Sequence, residues 1–356
     1  MKKILIISAS GMGCTVMFTP TLRLLRKRFP KARITFLGTS KSFVAPLEGS
    51  DFVDEVLVFD FAKGSLTDFK KLNRRLQFIK KLRREHFDIS VTVFPSNKWY
   101  FNMFAWLVGA KQRITHHYST PTWKNLSWLQ NTKVEADPKL HDVEQNMNLL
   151  RPLGVKPADK PSLYFHISQE DQVQADKILA ELDDSKLIVG MHIGSSQDFA
   201  FAAKRWPTEK FAQLADRLHE ELGAQMVVFA GPEENNDMEI LQKIMKTKPR
   251  IVQAPIKVTA ALIDKCDLMI SNDSGLMHIA VAMKTPVVAI FGPTSVSRTR
   301  PYTANAVTVY DHNHHSLLEY PFTTTSAKLD SIESRKCFET ITTEKVFDVV
   351  KSKLNG

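Results

Sequence analysis

The 356-residue chain has few cysteines and no long apolar run, and each scarcity argues against a class of protein. Its three cysteines, Cys14, Cys266 and Cys337, are far apart, which argues against a disulfide framework and a thiolate metal site. No segment approaches the roughly 18 apolar residues of a membrane-spanning helix. The apolar run after the first lysines has about five residues, too few for the core of a signal peptide. We therefore expect a reducing, cytoplasmic location.

Acidic residues are also in deficit, since 48 Lys and Arg against 38 Asp and Glu give a net charge of +10. The densest basic cluster lies between Lys70 and Arg84, where apolar residues recur at helical spacing. This pattern predicts an amphipathic helix with a basic outer face. Such a face is either simply solvated or attracts an anionic acceptor or a membrane surface. No recognisable nucleic-acid module or aromatic stacking pattern accompanies it, so we expect no nucleic-acid partner.

Short apolar runs alternate with helical patterns along most of the chain. This alternation predicts an α/β fold with parallel sheets covered on both faces. The length favours two domains, and the proline-rich charged stretch at residues 151–161 is the predicted linker between them. We expect an N-terminal domain over 1–160 and a second domain over 161–335. A C-terminal segment over 336–356 is expected to be helical and to pack back on the first domain, and residues 303–336 are expected to be irregular.

The most informative stretch covers residues 270–294. An apolar run ends in the polar loop Asn-Asp-Ser-Gly, an amphipathic segment follows, and a second apolar run ends in Gly-Pro-Thr. This order predicts a strand, a loop, a helix and a second strand. Loops at the carboxyl ends of parallel strands bind ligands, and the backbone N–H groups at a helix start favour an anion. A ligand that carries phosphate is therefore predicted.

Further polar loops follow other strands of the second half, and their side chains suit a nucleotide diphosphate. Hydroxyl and backbone N–H groups would contact phosphate oxygens, Lys204 would supply a cation, and Glu233 would bind ribose hydroxyls. Each position also has a structural alternative, as a turn former, a helix cap or a buried helix histidine. The candidate ligand-binding residues are Gly194, Ser195, Ser196, Lys204, Glu233, Asp273, Ser274, Gly275 and His278.

The first strand is followed by the loop Gly11-Met12-Gly13-Cys14, a further candidate for ligand binding. Taken alone it is a weak phosphate signal, because it lacks the third glycine of a dinucleotide fingerprint and the Gly-Lys-Ser/Thr ending of a P-loop. A tight turn that uses glycine is the alternative.

Six motifs lie in one order along the chain, at residues 11–30, 141–146, 192–195, 203–207, 231–234 and 271–293. Together they resemble glycosyltransferase family 9, the ADP-heptose:lipopolysaccharide heptosyltransferases. The resemblance extends to about residue 299 and returns over 337–350. It implies that the loop at 11–14 and the domain over 1–160 are on the acceptor side, and that the candidate residues of the second half bind the donor in a nucleotide-sugar-binding domain over 161–335.

The resemblance implies a GT-B architecture, with two Rossmann-like domains facing across a cleft. It implies inverting transfer of heptose or a related sugar from a nucleotide-diphosphate donor, ADP-heptose or similar, without metal or cofactor. The acceptor would be a hydroxyl of lipopolysaccharide or of another lipid-linked or polysaccharide glycan. The protein would act in the cytoplasm, in peripheral contact with the inner face of the cytoplasmic membrane. Lys204 and Asp273 match catalytic donor-site positions, and Glu233 matches the ribose-binding carboxylate.

One position departs from the family pattern. Heptosyltransferases carry an aspartate, the proposed general base, where this chain has Cys14. A thiol near a helix N-terminus could serve as a thiolate base, or the position could be a small residue without a proton-transfer role. Asp198, His116 and His117 are then alternative bases. The departure also leaves two other functions open: a nucleotide-sugar 2-epimerase and a non-catalytic nucleotide-sugar-binding protein.

Overall fold

The computed structural model divides into two compact units, the first ending at His166 and the second beginning at Ile167. The division falls six residues after the expected boundary at 160/161. The structure describes residues 1–60, 69–118, 122–183, 185–195, 204–231, 234–313 and 336–355.

The first unit contains a sheet of six parallel strands in the order β3-β2-β1-β4-β5-β6. Both faces of its central strands are buried, which explains the unbroken apolar run from Ile4 to Ile7 in the first strand. The strands are β1 (Lys3–Ile7), β2 (Arg33–Gly38), β3 (Glu55–Val58), β4 (Ile89–Thr92), β5 (Gln112–His117) and β6 (Thr132–Glu135). The helices are α1 (Met12–Arg28), α2 (Lys41–Val44), α3 (Phe69–Arg84), α4 (Trp99–Val108), α5 (Thr122–Asn125) and α6 (Asp142–Asn148), with 3₁₀ turns at Ala45–Leu47, Ser127–Leu129 and Arg151–Leu153.

The second unit repeats this order in its own parallel sheet, β12-β11-β10-β7-β8-β9. Among the described helices, none is both long and apolar enough to cross a bilayer. The strands are β7 (Ile188–His192), β8 (Gln225–Phe229), β9 (Arg250–Val252), β10 (Leu268–Asn272), β11 (Val287–Phe291) and β12 (Ala306–Tyr310). The helices are α7 (Gln169–Leu179), α8 (Thr208–Leu222), α9 (Asn235–Ile244), α10 (Ile256–Asp264), α11 (Gly275–Met283), α12 (Val296–Thr299) and α13 (Thr343–Asn355).

The shared strand order gives each unit one topological switch point, where the chain changes direction across the sheet. It lies between β1 and β4 in the first unit and between β7 and β10 in the second. Ligands of open α/β sheets bind at the carboxyl ends of the strands at such a point. The predicted parallel α/β architecture is confirmed. For the second unit, the topology predicts a ligand site at the loops after β7 and β10.

Helix α1 passes through a proline without ending. Pro20 has no N–H to donate to the carbonyl of Val16, and the hydroxyl of Thr19 donates to that oxygen instead, at 2.7 Å. The same hydroxyl accepts from the N–H of Tyr164 at 3.0 Å. The Thr-Pro pair in the first motif is therefore compatible with a continuous helix.

Two expectations about the end of the chain were wrong. Within the stretch 303–336, expected to be irregular, residues 306–310 form strand β12 at the edge of the second sheet. The C-terminal helix α13 does not belong to the first domain: Val346, Phe347 and Val350 are buried in the core of the second unit, where α13 packs against α8. Burial of this apolar stripe beside its own sheet explains the placement.

Candidate functional site

Helix α11 begins at the switch point of the second sheet, directly after strand β10. The hydroxyl of Ser274 caps it by accepting from the N–H of Met277 at 3.5 Å. That hydroxyl also lies 3.0 Å from the hydroxyl of Ser271 and 3.0 Å from Nδ1 of His192, the last residue of β7. The first N–H groups of a helix have no acceptor within the helix and carry partial positive charge. The neighbouring strand ends therefore meet at a helix start that favours an anion.

The buried amide of Asn272 holds three segments together at this point. Its Nδ2 donates to the carbonyl of Ile193 at 2.8 Å, and its Oδ1 accepts from the N–H of Trp206 at 3.0 Å. Trp206 is itself fixed, since its indole Nε1 donates to the carbonyl of Ile341 at 2.9 Å. The loops after β7 and before α8 are thereby positioned by one side chain of β10.

Lys204, Asp273 and His278 form a charged cluster beside the start of α11. The Lys204 ammonium lies 3.0 Å from Oδ2 of Asp273, and both side chains are largely buried. Burial opposes ionisation of Asp273, but the lysine charge outweighs it and keeps the pKa of the carboxyl below its usual value. Burial lowers the pKa of His278 to about 4, so its imidazole is neutral at pH 7. The cluster presents one cation, one anion and one neutral ring.

A second buried pair lies at the end of β7. Nε2 of His192 is 3.3 Å from Oε1 of Glu234, and Oε2 of Glu234 accepts from the N–H of Gly231 at 2.7 Å. Burial disfavours the charged carboxylate, but its bonds with His192 and Gly231 hold the pKa of Glu234 below its usual value. A Cβ on Gly194 would lie 1.4 Å from Oε1 of Glu234, so a larger residue would displace the carboxylate from this position. The glycine of this motif therefore makes room for a carboxylate.

Arg205 links the loop after β7 to helix α9. One guanidinium nitrogen lies 2.6 Å from Oδ2 of Asp237, and another donates to the carbonyl of Ser195 at 3.3 Å. Arg205 therefore braces the loop that carries Gly194 and Ser195, while Lys204 turns toward Asp273.

The structure thus gathers most of the predicted donor-binding residues in the second unit. Lys204, Asp273 and His278 lie together at the start of α11, whose first residues include the predicted Ser274 and Gly275. Ser195 is buried in the loop that follows the neighbouring strand β7. Three predicted or alternative positions lie outside the described residues: Ser196, Asp198 and Glu233.

The acceptor-side candidates lie at the carboxyl end of β1 in the first unit. Helix α1 already begins at Met12, with Gly11 as its cap, so the predicted loop is shorter and Gly13 belongs to the first helical turn. Cys14 is partly exposed in that turn, and its N–H lies 3.1 Å from the carbonyl of Gly11. The hydroxyl of Ser10 lies 3.5 Å from the carbonyl of Pro95, which follows β4. The first loop therefore also lies at a switch point.

His116 is not suited to act as a base. Its ring is fully buried, Nε2 lies 3.1 Å from the carbonyl of Gln145, and Phe94 packs edge-on against it. Burial lowers its pKa to about 3. His117 lies at the exposed end of the same strand and is partly accessible. We therefore assign His116 a structural role and retain Cys14 and His117 as candidates of the first unit.

The profile of glycosyltransferase family 9 (heptosyltransferase) matches residues 75–320. The chain belongs to glycosyltransferase family 9. It is 28% identical over 318 residues to lipopolysaccharide heptosyltransferase 3 of Escherichia coli (strain K12), covering 86% of this chain and 87% of the relative. It is 25% identical over 363 residues to lipooligosaccharide heptosyltransferase 2 of Campylobacter jejuni, covering 99% of both chains. This family 9 member is therefore a glycosyltransferase.

Two solved structures show that the fold is that of the family. A family 9 glycosyltransferase of Veillonella parvula superposes with a TM-score of 0.81 at 25% identity, covering 99% of this chain and 97% of the other. An E. coli heptosyltransferase with ADP-2-deoxy-2-fluoro heptose superposes with a TM-score of 0.69 at 16% identity, covering 98% and 99%. The GT-B prediction is confirmed.

Sequence reasoning missed several residues that organise this family 9 site: His192, Glu234, Asn272 and Arg205. His192 and Asn272 each end a buried strand, a position that could have singled them out. No sequence pattern distinguishes Glu233 from Glu234, because the two glutamates are adjacent. The structure shows that Glu234 contacts His192. The prediction took Lys204 as the cation of the site and left out the neighbouring Arg205.

We predict that His116 and His278 remain neutral well below the ordinary histidine pKa of 6.5. Their pKa values of about 3 and about 4 mean that the unfolded state takes up protons first as the pH falls. Each ring therefore contributes stability that is complete above 6.5 and is lost as the pH falls toward its folded value. NMR of ¹⁵N-histidine-labelled protein at about pH 5.5 should show two neutral rings, both of which become charged after unfolding in denaturant. Charged signals for either ring in the folded chain would contradict the prediction.

Proposed function

We propose that this chain is an inverting, metal-independent glycosyltransferase that moves heptose or a related sugar from a nucleotide-diphosphate donor, ADP-heptose or similar, to a hydroxyl of lipopolysaccharide or another cell-surface glycan. The observation that carries the proposal is the Lys204–Asp273–His278 cluster at the start of α11, on the switch point of the second sheet. The names of the relatives and the donor analogue bound to the E. coli enzyme support the choice of sugar and acceptor.

In the proposal, Lys204 and the N-terminus of α11 bind the donor diphosphate. As the bond from the sugar to the diphosphate breaks, negative charge grows on the phosphate oxygens. A buried ammonium and the partial positive charge of a helix start stabilise that charge without invoking a metal. Asp273 has two roles here: its carboxylate orients Lys204, and it lies where positive charge develops on the sugar ring. His278, being neutral, adds no competing charge to the cluster.

His192 and Glu234 are proposed to keep the donor loops in place. His192 joins the capping hydroxyl of Ser274 to the carboxylate of Glu234, which in turn holds the N–H of Gly231. This chain of contacts connects the loop after β8 with the start of α11. Ser195, Ser196 and Glu233 belong to the same loops and are retained as donor contacts, the glutamate for ribose hydroxyls.

The acceptor is proposed to be lipid-linked or a polysaccharide and to approach the loop after β1, where Gly11, Met12 and Gly13 lie. An acceptor of this kind places the reaction at the inner face of the cytoplasmic membrane, because a nucleotide-sugar donor is available in the cytoplasm. The acceptor hydroxyl must lose a proton as it attacks the sugar. Cys14 directly follows these residues, in the first turn of α1.

Incubation of the chain with ADP-heptose and a lipopolysaccharide acceptor that lacks heptose should add one sugar to the acceptor. NMR of the product should show an inverted anomeric centre, and a chelator should leave the rate unchanged because Lys204 and α11 supply the positive charge. The reaction without acceptor is the control. An epimerised nucleotide sugar in that control would instead assign the chain as an epimerase.

Replacement of Lys204 by methionine should weaken nucleotide-sugar binding by about 1.5–3 kcal/mol, because a phosphate loses its charge-assisted partner. Calorimetry measures this directly. Since the substitution also leaves Asp273 buried without its lysine, the matched control is Lys204→Met in an Asp273→Asn background. Binding should be weakened there by a similar amount. Recovery of affinity in the double variant would mean that Lys204 serves only Asp273.

Cys14 tests which group accepts the proton. We expect Cys14→Ala to retain a kcat within about tenfold of the wild-type value, as for a small residue without a proton-transfer role, whereas loss of a general base costs about 10²–10⁴-fold. A loss of that size would assign the thiol as the base. Donor binding without turnover, with turnover restored by Cys14→Asp, would instead identify a non-catalytic family member.

A further inference from the structure

Four of the five tryptophans of the chain are exposed on the first unit. Trp99 is 43% exposed, Trp106 47%, Trp123 70% and Trp128 61%, whereas Trp206 in the second unit is 1% exposed. Tryptophan offers a large apolar ring with one polar N–H, and it is highly buried on average in folded proteins. Four exposed indoles on one unit therefore indicate a surface with a partner.

Helix α4 presents part of this surface as a stripe. Trp99, Met103 and Trp106 are spaced four and three residues apart, on one side of the helix, and all three are exposed. The opposite side of α4 is buried in the core of the first unit, through residues such as Phe101 and Phe104. The exposed stripe is therefore not required by the packing of the helix.

The other two tryptophans lie on the segment that packs beside α4. Nδ2 of Asn102 in α4 donates to the carbonyl of Asn125 at 2.7 Å, and Nε2 of Gln130 donates to the carbonyl of Asn102 at 2.7 Å. These buried bonds fix α5 and the following 3₁₀ turn against α4. Trp123 and Trp128 project from this fixed segment into solvent. We call Trp99, Met103, Trp106, Trp123 and Trp128 together the tryptophan face.

Positive charge borders the tryptophan face. Helix α3 packs against α4 and contains no acidic residue along its whole length. The guanidinium of Arg83 donates to the carbonyl of Leu107 at 3.2 Å, which joins the two helices. Lys98 precedes α4, and the ammonium of Lys124 lies 5.3 Å from the ring centre of Trp123. The exposed basic residues of α3 include Arg74, Lys80, Lys81, Arg83 and Arg84.

We propose that the tryptophan face and α3 form a docking surface for an anionic lipid bilayer. Indole rings favour the boundary between headgroups and acyl chains, where the ring is in an apolar environment and the N–H stays hydrated. Arginine and lysine beside them are attracted by the negative surface potential of anionic lipids. The combination of exposed tryptophans with a helix free of acidic residues matches this one occupant in both apolarity and charge. The inference deepens the proposed function, on which it rests for the membrane setting, by assigning the face of the first unit through which the chain binds the bilayer.

Vesicle flotation of the full chain tests the proposal, without donor or acceptor, so the outcome is separate from that of the transfer assay. The chain should float with vesicles of phosphatidylcholine mixed with phosphatidylglycerol, and much less with phosphatidylcholine alone. Its tryptophan emission should shift to the blue and be quenched by brominated lipid, because the indoles enter the interface.

Two double variants should separate the apolar contribution from the electrostatic one. Trp106→Ser with Trp123→Ser should lower the vesicle partition coefficient at least about tenfold, since binding scales with the apolar area inserted. Arg74→Glu with Lys80→Glu should remove the preference for anionic vesicles. The matched controls replace exposed residues of the second unit: Val173→Ser with Ile240→Ser, and Lys345→Glu with Lys351→Glu. Both controls should bind as the wild type does.

Several outcomes would overturn the proposal. One is a wild-type chain that stays unbound on anionic vesicles, and another is binding without any change in tryptophan emission. Equal losses in the tryptophan variant and its control would mean that the face is not specific. Concentration-dependent dimerisation in sedimentation velocity, abolished by Trp106→Ser with Trp123→Ser, would assign the face to a second copy of the chain. Circular dichroism confirms that each variant is folded.

Discussion

The candidate donor site depends on the buried side chain of Asn272 more than on any other single group. Its amide bonds the carbonyl of Ile193 and the N–H of Trp206, and so fixes both loops that flank the start of α11. Lys204 is two residues before Trp206, and Gly194 directly follows Ile193. An unsatisfied buried amide is costly, so these bonds define the loop positions closely. The charged cluster at Asp273 is therefore built on a neutral hydrogen-bonded frame.

The two units share a strand order, but their switch points differ in chemistry. In the second unit, the residues around the switch point include an ammonium, two carboxylates and two histidines, all of them largely buried. In the first unit, the loop after β1 carries glycines, a serine and the partly exposed Cys14. A site that binds a fixed anion requires preorganised charge, whereas a site for an acceptor glycan requires access. This difference supports the proposed assignment of donor binding to the second unit and acceptor binding to the first.

The sequence was sufficient to predict the parallel α/β halves and the grouping of Lys204, Asp273 and His278. Buried parallel strands read as unbroken apolar runs, and their loops necessarily meet at one edge of the sheet. Strand β5 has no such apolar run, because its sequence Gln-Arg-Ile-Thr-His-His is largely polar, and the sequence pattern therefore does not predict it. His116 is nevertheless buried in it as a neutral ring, which only the tertiary packing of Phe94 and Gln145 determines. The contact between His192 and Glu234 could not be predicted either, because it joins residues 42 positions apart in the sequence.

The most direct test is a crystal structure of the chain with a non-transferable ADP-heptose analogue. The diphosphate should lie within hydrogen-bonding distance of the Lys204 ammonium and of the backbone N–H groups at the start of α11, with the sugar beside Asp273. A diphosphate bound at the loop after β1, or one that contacts neither Lys204 nor α11, would contradict the proposed donor site.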